Sequence, residues 1–372
     1  MAEKSVSTES LALEENQEYK GPKLRVAVIG CGGIAQTHLQ AMQQMPEVEV
    51  VAGCDIDPKR LKIMEEKWGV KKNYKDWKVM LKEMAGQIDA VDVCTPNGVH
   101  APASIDSSNA GLHVITEKPM AMTPDECKRM IEAAEKNGKK LCIGFQYRYH
   151  PNTQFLKRAA DEGQFGKIMF VKCRALRRRG IPNWGVFGQK HLQGGGPMID
   201  IGVHVIEMAH FVMGSPRPVA AAGNTWTWMG NKPSNVVSQW PNWDYKTYTV
   251  EDLAIGQIRF DNGAIMQIEA SFCNHIEKDV WNFDLVGENG GCTWDPPMIF
   301  RDQAGTMVNI SPGFLPRHND FHSLFKIKLQ NFVDACLKGT PMTAPGEAGL
   351  AVQKILDGVY RSAEAGKEVT ID

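Results

Sequence analysis

The chain predicts an α/β protein in which a doubly wound parallel sheet precedes an α+β region with an antiparallel sheet. Three observations carry this. Short apolar runs alternate with helical stretches from Leu24 to about Phe145. The first run ends in a glycine-rich turn, Gly30-Cys31-Gly32-Gly33-Ile34-Ala35. Beyond residue 150 that rhythm stops, and two strand-like runs flank the hairpin signal Asp261-Asn262-Gly263.

Taken in order, the strand candidates of the first region are 24–29, 48–54, 89–95, 112–116 and 140–145, with helices beginning near Gly33, Pro58, Asp76, Gly98 and Thr123. Gly30 permits a tight strand-to-helix turn, Gly32 lets backbone approach a pyrophosphate, and Ala35 allows close helix–strand packing. A pyrophosphate would rest on the N-terminus of the helix opening at Gly33, where unpaired N–H groups favour negative charge. The second run ends in Asp55, twenty positions beyond Ala35, where a carboxylate meets the ribose hydroxyls of NAD. A carboxylate there repels a 2′-phosphate, so NAD is expected over NADP, although nearby Arg60 softens the discrimination. Thr123-Pro124-Asp125-Glu126 marks a capped helix start.

The second region opens with a helix over 151–161 and a strand over 167–176. A Gly- and Arg-rich segment (177–196), a long apolar helix (197–213), strands over 252–260, 264–272 and 280–286, and closing helices over 320–338 and 346–365 follow. The expected organisation is a flexible arm (1–22), a dinucleotide-binding domain (23–148) and a substrate-binding and oligomerisation domain (149–372), whose closing helices are able to pack back on the first domain.

With 372 residues there is room for two cores. The 42 basic and 43 acidic residues nearly cancel, which argues against nucleic-acid or membrane-surface partners. No run approaches the roughly 20 apolar residues of a membrane span, and the polar N-terminus lacks the apolar core of a signal peptide. Nine cysteines, an odd number without C-x-x-C or metal-like clustering, are expected as reduced core thiols in a cytoplasmic protein that holds no metal.

In open α/β sheets ligands bind beyond the carboxyl ends of the strands. Three such ends here are polar: Thr95-Pro96-Asn97-Gly98-Val99-His100, Glu117-Lys118-Pro119 and Gln146-Tyr147-Arg148. Each is open to a reading as an ordinary capped loop. Lys118 follows a buried strand and is restricted by the proline after it, so its ammonium suits polarising an alcohol or carbonyl oxygen, with Glu117 as the expected partner. Gly194-Gly195-Gly196-Pro197 starts an apolar helix on which Asp200, His204 and Glu207 form one polar stripe at i, i+4 and i+7. His204 is either a satisfied core histidine or a base oriented by Asp200.

Jointly, Gly30–Ala35, Glu117-Lys118-Pro119 and Asp200-Ile201-Gly202-Val203-His204 resemble the hallmarks of the Gfo/Idh/MocA oxidoreductases, the glucose–fructose oxidoreductase and inositol dehydrogenase family, over nearly the whole chain. The resemblance implies a Rossmann domain followed by an open, mostly antiparallel sheet that builds an oligomer interface. It implies Lys118, Asp200 and His204 as catalytic residues, and a cofactor lined by Thr95, Pro96, Asn97, His100, Glu117, Lys118, Gln146 and Arg148 together with the glycine-rich turn. His204 would take a hydroxyl proton, with Asp200 steadying its imidazolium and Lys118 stabilising the alkoxide. The family acts on sugars and inositols, so a carbohydrate or glycoside is the expected partner and C3 of a glucoside a specific expectation.

Seven of the nine tryptophans follow residue 150, and Trp184 is the one expected beside a sugar; sheet faces and interfaces also collect tryptophan. Lys190 and His275 are further substrate candidates, with His318 and His322 behind them. Arg177-Arg178-Arg179 reads as an anion contact or, by preference, a solvated strand end. Two other functions stay open: an NAD-retaining glycoside-cleaving enzyme working through a transient keto sugar, and a non-catalytic sugar sensor, against which retention of Lys118, Asp200 and His204 argues.

Overall fold

A computed structural model describes residues 19–372, so the arm expected at 1–22 lies outside the described residues as far as position 18. Among the described residues the chain builds two sheets. The first holds β1 (Leu24–Ile29), β2 (Val48–Cys54), β3 (Asn73–Tyr74), β4 (Ala90–Val93), β5 (His113–Thr116) and β6 (Leu141–Ile143) in the order β3-β2-β1-β4-β5-β6. Every pairing is parallel, as a doubly wound sheet requires. Apolar runs without alternation explain this: all four residues of β4 are buried, because helices cover both faces.

Those helices are α1 (Gly33–Met42), α2 (Pro58–Trp68), α3 (Trp77–Glu83), α4 (Asn97–Asn109) and α5 (Pro124–Lys136). Their starts are chemical. Asp57 accepts the Lys59 N–H and Asp76 the Lys78 N–H, while Thr123 and Glu126 cap each other's backbone at the head of α5. The two-residue β3 was not expected, being too short to show a period.

A 3₁₀ turn (Gln146–Tyr149) leads into α6 (Pro151–Asp161) and the second sheet. Its strands are β7 (Ile168–Leu176), β8 (Pro218–Trp226), β9 (Leu253–Phe260), β10 (Ile265–Ser271), β11 (Val280–Gly287), β12 (Gly291–Thr293), β13 (Met298–Gln303), β14 (Thr306–Ile310) and β15 (Val369–Thr370). They run β14-β13-β12-β11-β7-β10-β9-β8-β15 and pair antiparallel except for β7 with β10. The β9–β10 hairpin closes at Asp261–Gly263 as its turn residues require, with Gln257 opposite Gln267. By contrast β8, rich in alanine, has weak strand propensity and owes its form to pairing along β9.

The remaining helices are α7 (Lys190–Gln193), α8 (Val203–Val212), α9 (Phe321–Lys338) and α10 (Gly346–Ala365). The helix expected over 197–213 is interrupted: a π-helical turn at Met198–Gly202 precedes α8. Both closing helices return to the first region, α9 against α1 and α10 against α5, while α10 also covers β8 and β9. Among the described residues no helix is long and apolar enough to cross a membrane.

A buried ion pair between Arg148 and Glu207 helps to join the two regions. Arg148, in the 3₁₀ turn, donates from Nε to Glu207 Oε2 of α8 at 2.8 Å and from Nη1 to the Thr343 carbonyl at 2.8 Å. Neither side chain reaches solvent, and burial pushes the Glu207 carboxyl up to about 7 against the pull of Arg148. Removing one partner of such a pair leaves an uncompensated buried group. Arg148→Met is therefore expected to lose about 3–5 kcal/mol of stability in urea unfolding at pH 7.5; a loss under about 1 kcal/mol, the range of an exposed pair, would contradict the account.

Candidate active site

The glycine-rich turn lies at the carboxyl end of β1. Gly30 has φ +86°, and a Cβ there would sit 2.7 Å from the Cys94 carbonyl, so no other residue fits. Asp55, at the end of β2, accepts the Cys31 N–H (2.8 Å) and the Asp57 N–H (2.8 Å), and Arg60 Nη1 lies 3.4 Å from it. The carboxylate thus stiffens the turn from below while the half-exposed Arg60 lies over Gly32, 3.0 Å from where a Cβ would be. The Cys31 side chain does not face a ligand. It is buried beneath the turn against the Cys54 carbonyl, and burial pushes its thiol up to about 12. Gly33 opens α1, Ile34 reaches the cleft and Ala35 is buried beneath it.

Beyond the strand ends lies a cleft of about 420 Å³. Ile34, Thr95, Asn97, His100, Glu117, Lys118 and Gln146 line it from the first region; Asp200, His204, Arg177, Trp184 and Trp281 line it from the second. Buried polar atoms normally find partners. Thr95 Oγ1 and Gln146 Oε1 are buried with none in the protein, so both are available to a ligand. Together with the free N–H groups opening α1, these groups fit a dinucleotide. His100 accounts for both its nitrogens locally, at 2.8 Å from the Pro119 carbonyl and 2.9 Å from that of Thr95, which ties two strand ends together. Pro96 heads α4, and Asn97 donates to the Gln193 carbonyl at 2.9 Å.

Lys118 lies two residues past the end of β5, and the peptide joining it to Pro119 is cis. Its partner is not Glu117, as the sequence suggested, but Asp200. The ammonium lies 3.2 Å from Oδ1 and donates to the Asp200 carbonyl at 2.8 Å, across from one region to the other. Glu117 instead accepts from Lys328 at 2.6 Å.

Asp200 is positioned by the glycines before it. A Cβ on Gly196 would meet the Glu251 carbonyl at 2.1 Å, so only glycine lets the chain pass. Glu251, itself buried, accepts the Gly196 and Met198 N–H groups (2.9 and 3.3 Å) and the Tyr360 hydroxyl (2.7 Å), anchoring the turn. Because Met198–Gly202 is π-helical, the expected i, i+4, i+7 stripe breaks up. Asp200 turns to Lys118, Glu207 turns to Arg148, and among the described residues no hydrogen bond joins Asp200 to His204.

His204 is nearly buried, edge-on to Tyr147 (5.0 Å between ring centroids) and beside Trp281 (5.8 Å). Burial first, then the Lys118 charge, holds its imidazole well below the ordinary histidine range. Nδ1 is enclosed without a partner, which leaves Nε2 as the ring atom open to the cleft.

Not every expected residue arrives. Arg148 is committed to Glu207, outside the cleft. Lys190 is exposed at the head of α7, and His275 rests on Trp228 at 4.9 Å; His318 and His322 are exposed as well, and none of the four lines the cleft. Trp184 does, half-exposed and packed against Trp240 (4.7 Å) and Phe187 (5.9 Å). Tyr147, Trp281 and Arg177 were not singled out. For Arg177 the charge run misled: of the three arginines it alone lines the cleft, its guanidinium over Trp240 at 4.9 Å. The alternation of β11 was the available signal for Trp281.

Residues 24–145 match the profile of an oxidoreductase family with an NAD-binding Rossmann fold (GFO_IDH_MocA), and residues 157–371 match that family's C-terminal alpha/beta domain. The chain is 35% identical over 351 residues to D-glucoside 3-dehydrogenase of Escherichia coli, spanning 94% of this chain and 97% of that protein. It is 32% identical over 355 residues to inositol 2-dehydrogenase of Salmonella typhimurium, spanning 94% and 97%. A solved levoglucosan dehydrogenase in complex with NADH and levoglucosan matches in fold, with a TM-score of 0.80 at 24% identity over 94% of this chain and 99% of that one.

Asp55 generates a test of cofactor choice. A carboxylate near a 2′-phosphate costs about 1–4 kcal/mol, so quenching of tryptophan fluorescence should show NAD⁺ binding at least about tenfold tighter than NADP⁺. Asp55→Ala should narrow that ratio; an unchanged ratio would contradict the role.

Proposed function

Because the chain belongs to the GFO_IDH_MocA family of NAD-binding oxidoreductases, we propose that its cleft oxidises a ring hydroxyl of a glycoside, C3 of a glucoside being the favoured position. The protein is an NAD-dependent oxidoreductase acting on the CH–OH group of a carbohydrate. What supports the finer reading is one juxtaposition: an ammonium paired to a carboxylate, Lys118 with Asp200, opens into the same cleft as the neutral imidazole of His204. The 35% identity to D-glucoside 3-dehydrogenase supports the position of attack.

Nicotinamide, when bound, supplies the acceptor for the hydride leaving the carbinol carbon. The protein's own task is the proton and the oxygen. His204, already unprotonated at neutral pH, receives the hydroxyl proton at Nε2. Lys118 donates to the same oxygen and stabilises its developing negative charge. Asp200 holds the Lys118 ammonium in place rather than steadying the imidazolium, since its carboxylate is taken up by Lys118. Trp281 and Tyr147 flank His204 with apolar surface that excludes water and suits the C–H face of a pyranose. The products are a keto sugar, NADH and a proton.

We also read the outer face of the second sheet as an assembly surface and the protein as cytoplasmic. Trp226 of β8, Ile255 of β9 and Val286 of β11 are exposed on a sheet whose strands β7, β10 and β11 carry the ion pairs Lys172–Glu269 and Arg174–Asp284. All nine cysteines are free thiols, and eight are buried. Light scattering should give a mass of at least two 41.3 kDa chains; a monomer would remove the assembly reading.

Three measurements test the chemistry. Incubation with NAD⁺ and a panel of glycosides and free sugars should raise NADH absorbance, with a 3-keto product by mass analysis; aglycone release without net NADH would point instead to cleavage through a transient ketone. His204→Ala should lower kcat by about 10²–10⁴-fold while NAD⁺ affinity holds; full turnover would remove the base. Since the imidazole must be neutral and its pKa lies well below 6.5, kcat/KM should stay flat as pH falls from 7.5 to 6.5 and drop only below that. An acid limb centred at or above 6.5 contradicts this.

A further inference from the structure

Immediately behind the Lys118 backbone lies a cluster of ionisable side chains that the proposed reaction does not use. His38 of α1 lies with Nδ1 2.7 Å from Asp92 Oδ2 of β4 and Nε2 3.1 Å from Glu117 Oε1. Lys328 of α9 donates to the same Glu117 oxygen at 2.6 Å, and its Nζ lies 3.0 Å from His38 Nε2. His38, Asp92 and Lys328 are fully buried and Glu117 is 5% exposed. His38, Asp92 and Cys94 also have the spacing of a metal site, but the Lys328 ammonium against His38 already supplies the positive charge there. Two carboxylates against one ammonium and one imidazole form a network in which no member is lost without leaving another unpaired.

The network reaches the Lys118 backbone through Glu117. The second oxygen of Glu117 accepts the backbone N–H of Lys118 at 3.2 Å. The Lys328 nitrogen lies 4.0 Å from the ring centroid of Phe325, which itself lines the cleft. Burial alone would favour a neutral Glu117, yet Lys328 and His38 hold it ionised, well below the ordinary carboxylate range.

We propose that Lys328 and His38 are positioning residues for Lys118: they clamp the Glu117 carboxylate, which fixes the backbone from which Lys118 reaches Asp200. A residue of a closing helix thereby sets the geometry at the end of a strand more than 200 positions earlier. This rests on the reading of Lys118 as a catalytic residue.

The test compares wild type, Lys328→Met and the charge-balanced double variant Lys328→Met/Glu117→Gln. Two readouts are taken: the rate at which acetic anhydride modifies Lys118 relative to the exposed Lys338, by mass spectrometry, and the steady-state kinetics. In both variants Lys118 should be modified faster than in wild type. Their kcat should fall roughly 10- to 100-fold, the scale of a small misplacement of a reacting group, with substrate KM little changed. The double variant, relieved of its unpaired buried charge, should regain melting temperature without regaining kcat or Lys118 protection. Recovery of kcat together with melting temperature would reduce the network to charge balance and overturn the proposal, as would wild-type modification rates at Lys118 in Lys328→Met. If wild type reduced no NAD⁺ with any carbohydrate, the dehydrogenase reading would fail while the Lys118 modification rates still decided the positioning.

Discussion

The pairing of Lys118 with Asp200 is the contact on which the architecture turns. It is made between the end of a parallel strand and a turn beneath an antiparallel sheet, so the cleft exists only while both regions keep their places. A partly buried ammonium and carboxylate are tolerable together and costly apart, which makes the pair a demand on the surrounding structure as much as a contribution to it. Much of the neighbouring structure meets that demand: Glu251 and Tyr360 anchor the glycine run ahead of Asp200, Arg148 pins α8 to the first region, and α9 and α10 close over both.

The same pair shapes the electrostatics of the cleft. An ammonium held near His204 adds to burial in keeping that imidazole unprotonated. On the proposed reading the outcome is a division of labour: Lys118 donates as a cation, and the neutral ring of His204 accepts. A protonated imidazole at His204 could not accept the proton. Burial normally penalises such groups; at His204 it favours the neutral form at neutral pH.

Local features were legible in the sequence because local chemistry determines them. The turn at Gly30–Ala35, the capped start at Thr123 and the hairpin at Asp261–Gly263 each depend on residues within a few positions of one another. Lys118 and His204 could be singled out because a polar group in an apolar run needs a reason. Partners were another matter. Glu117 faces Lys328, not Lys118, and the pairing of Arg148 with Glu207 removes an expected cofactor contact; both are long-range choices that periodicity does not encode. The π-helical turn at Met198–Gly202 undid a stripe drawn on ideal α-helical spacing. Lys190 and His275 were plausible by residue type alone, and the fold leaves them outside the cleft.

The central claim is that Lys118 and His204 meet at one alcohol oxygen. A crystal structure with NAD⁺ and a slow glycoside substrate or keto-sugar product tests it most directly. The account predicts Lys118 Nζ and His204 Nε2 both within about 3.2 Å of the same sugar oxygen, with Asp200 still on Lys118. A sugar whose reacting oxygen touches neither side chain, or only one of them, would contradict it.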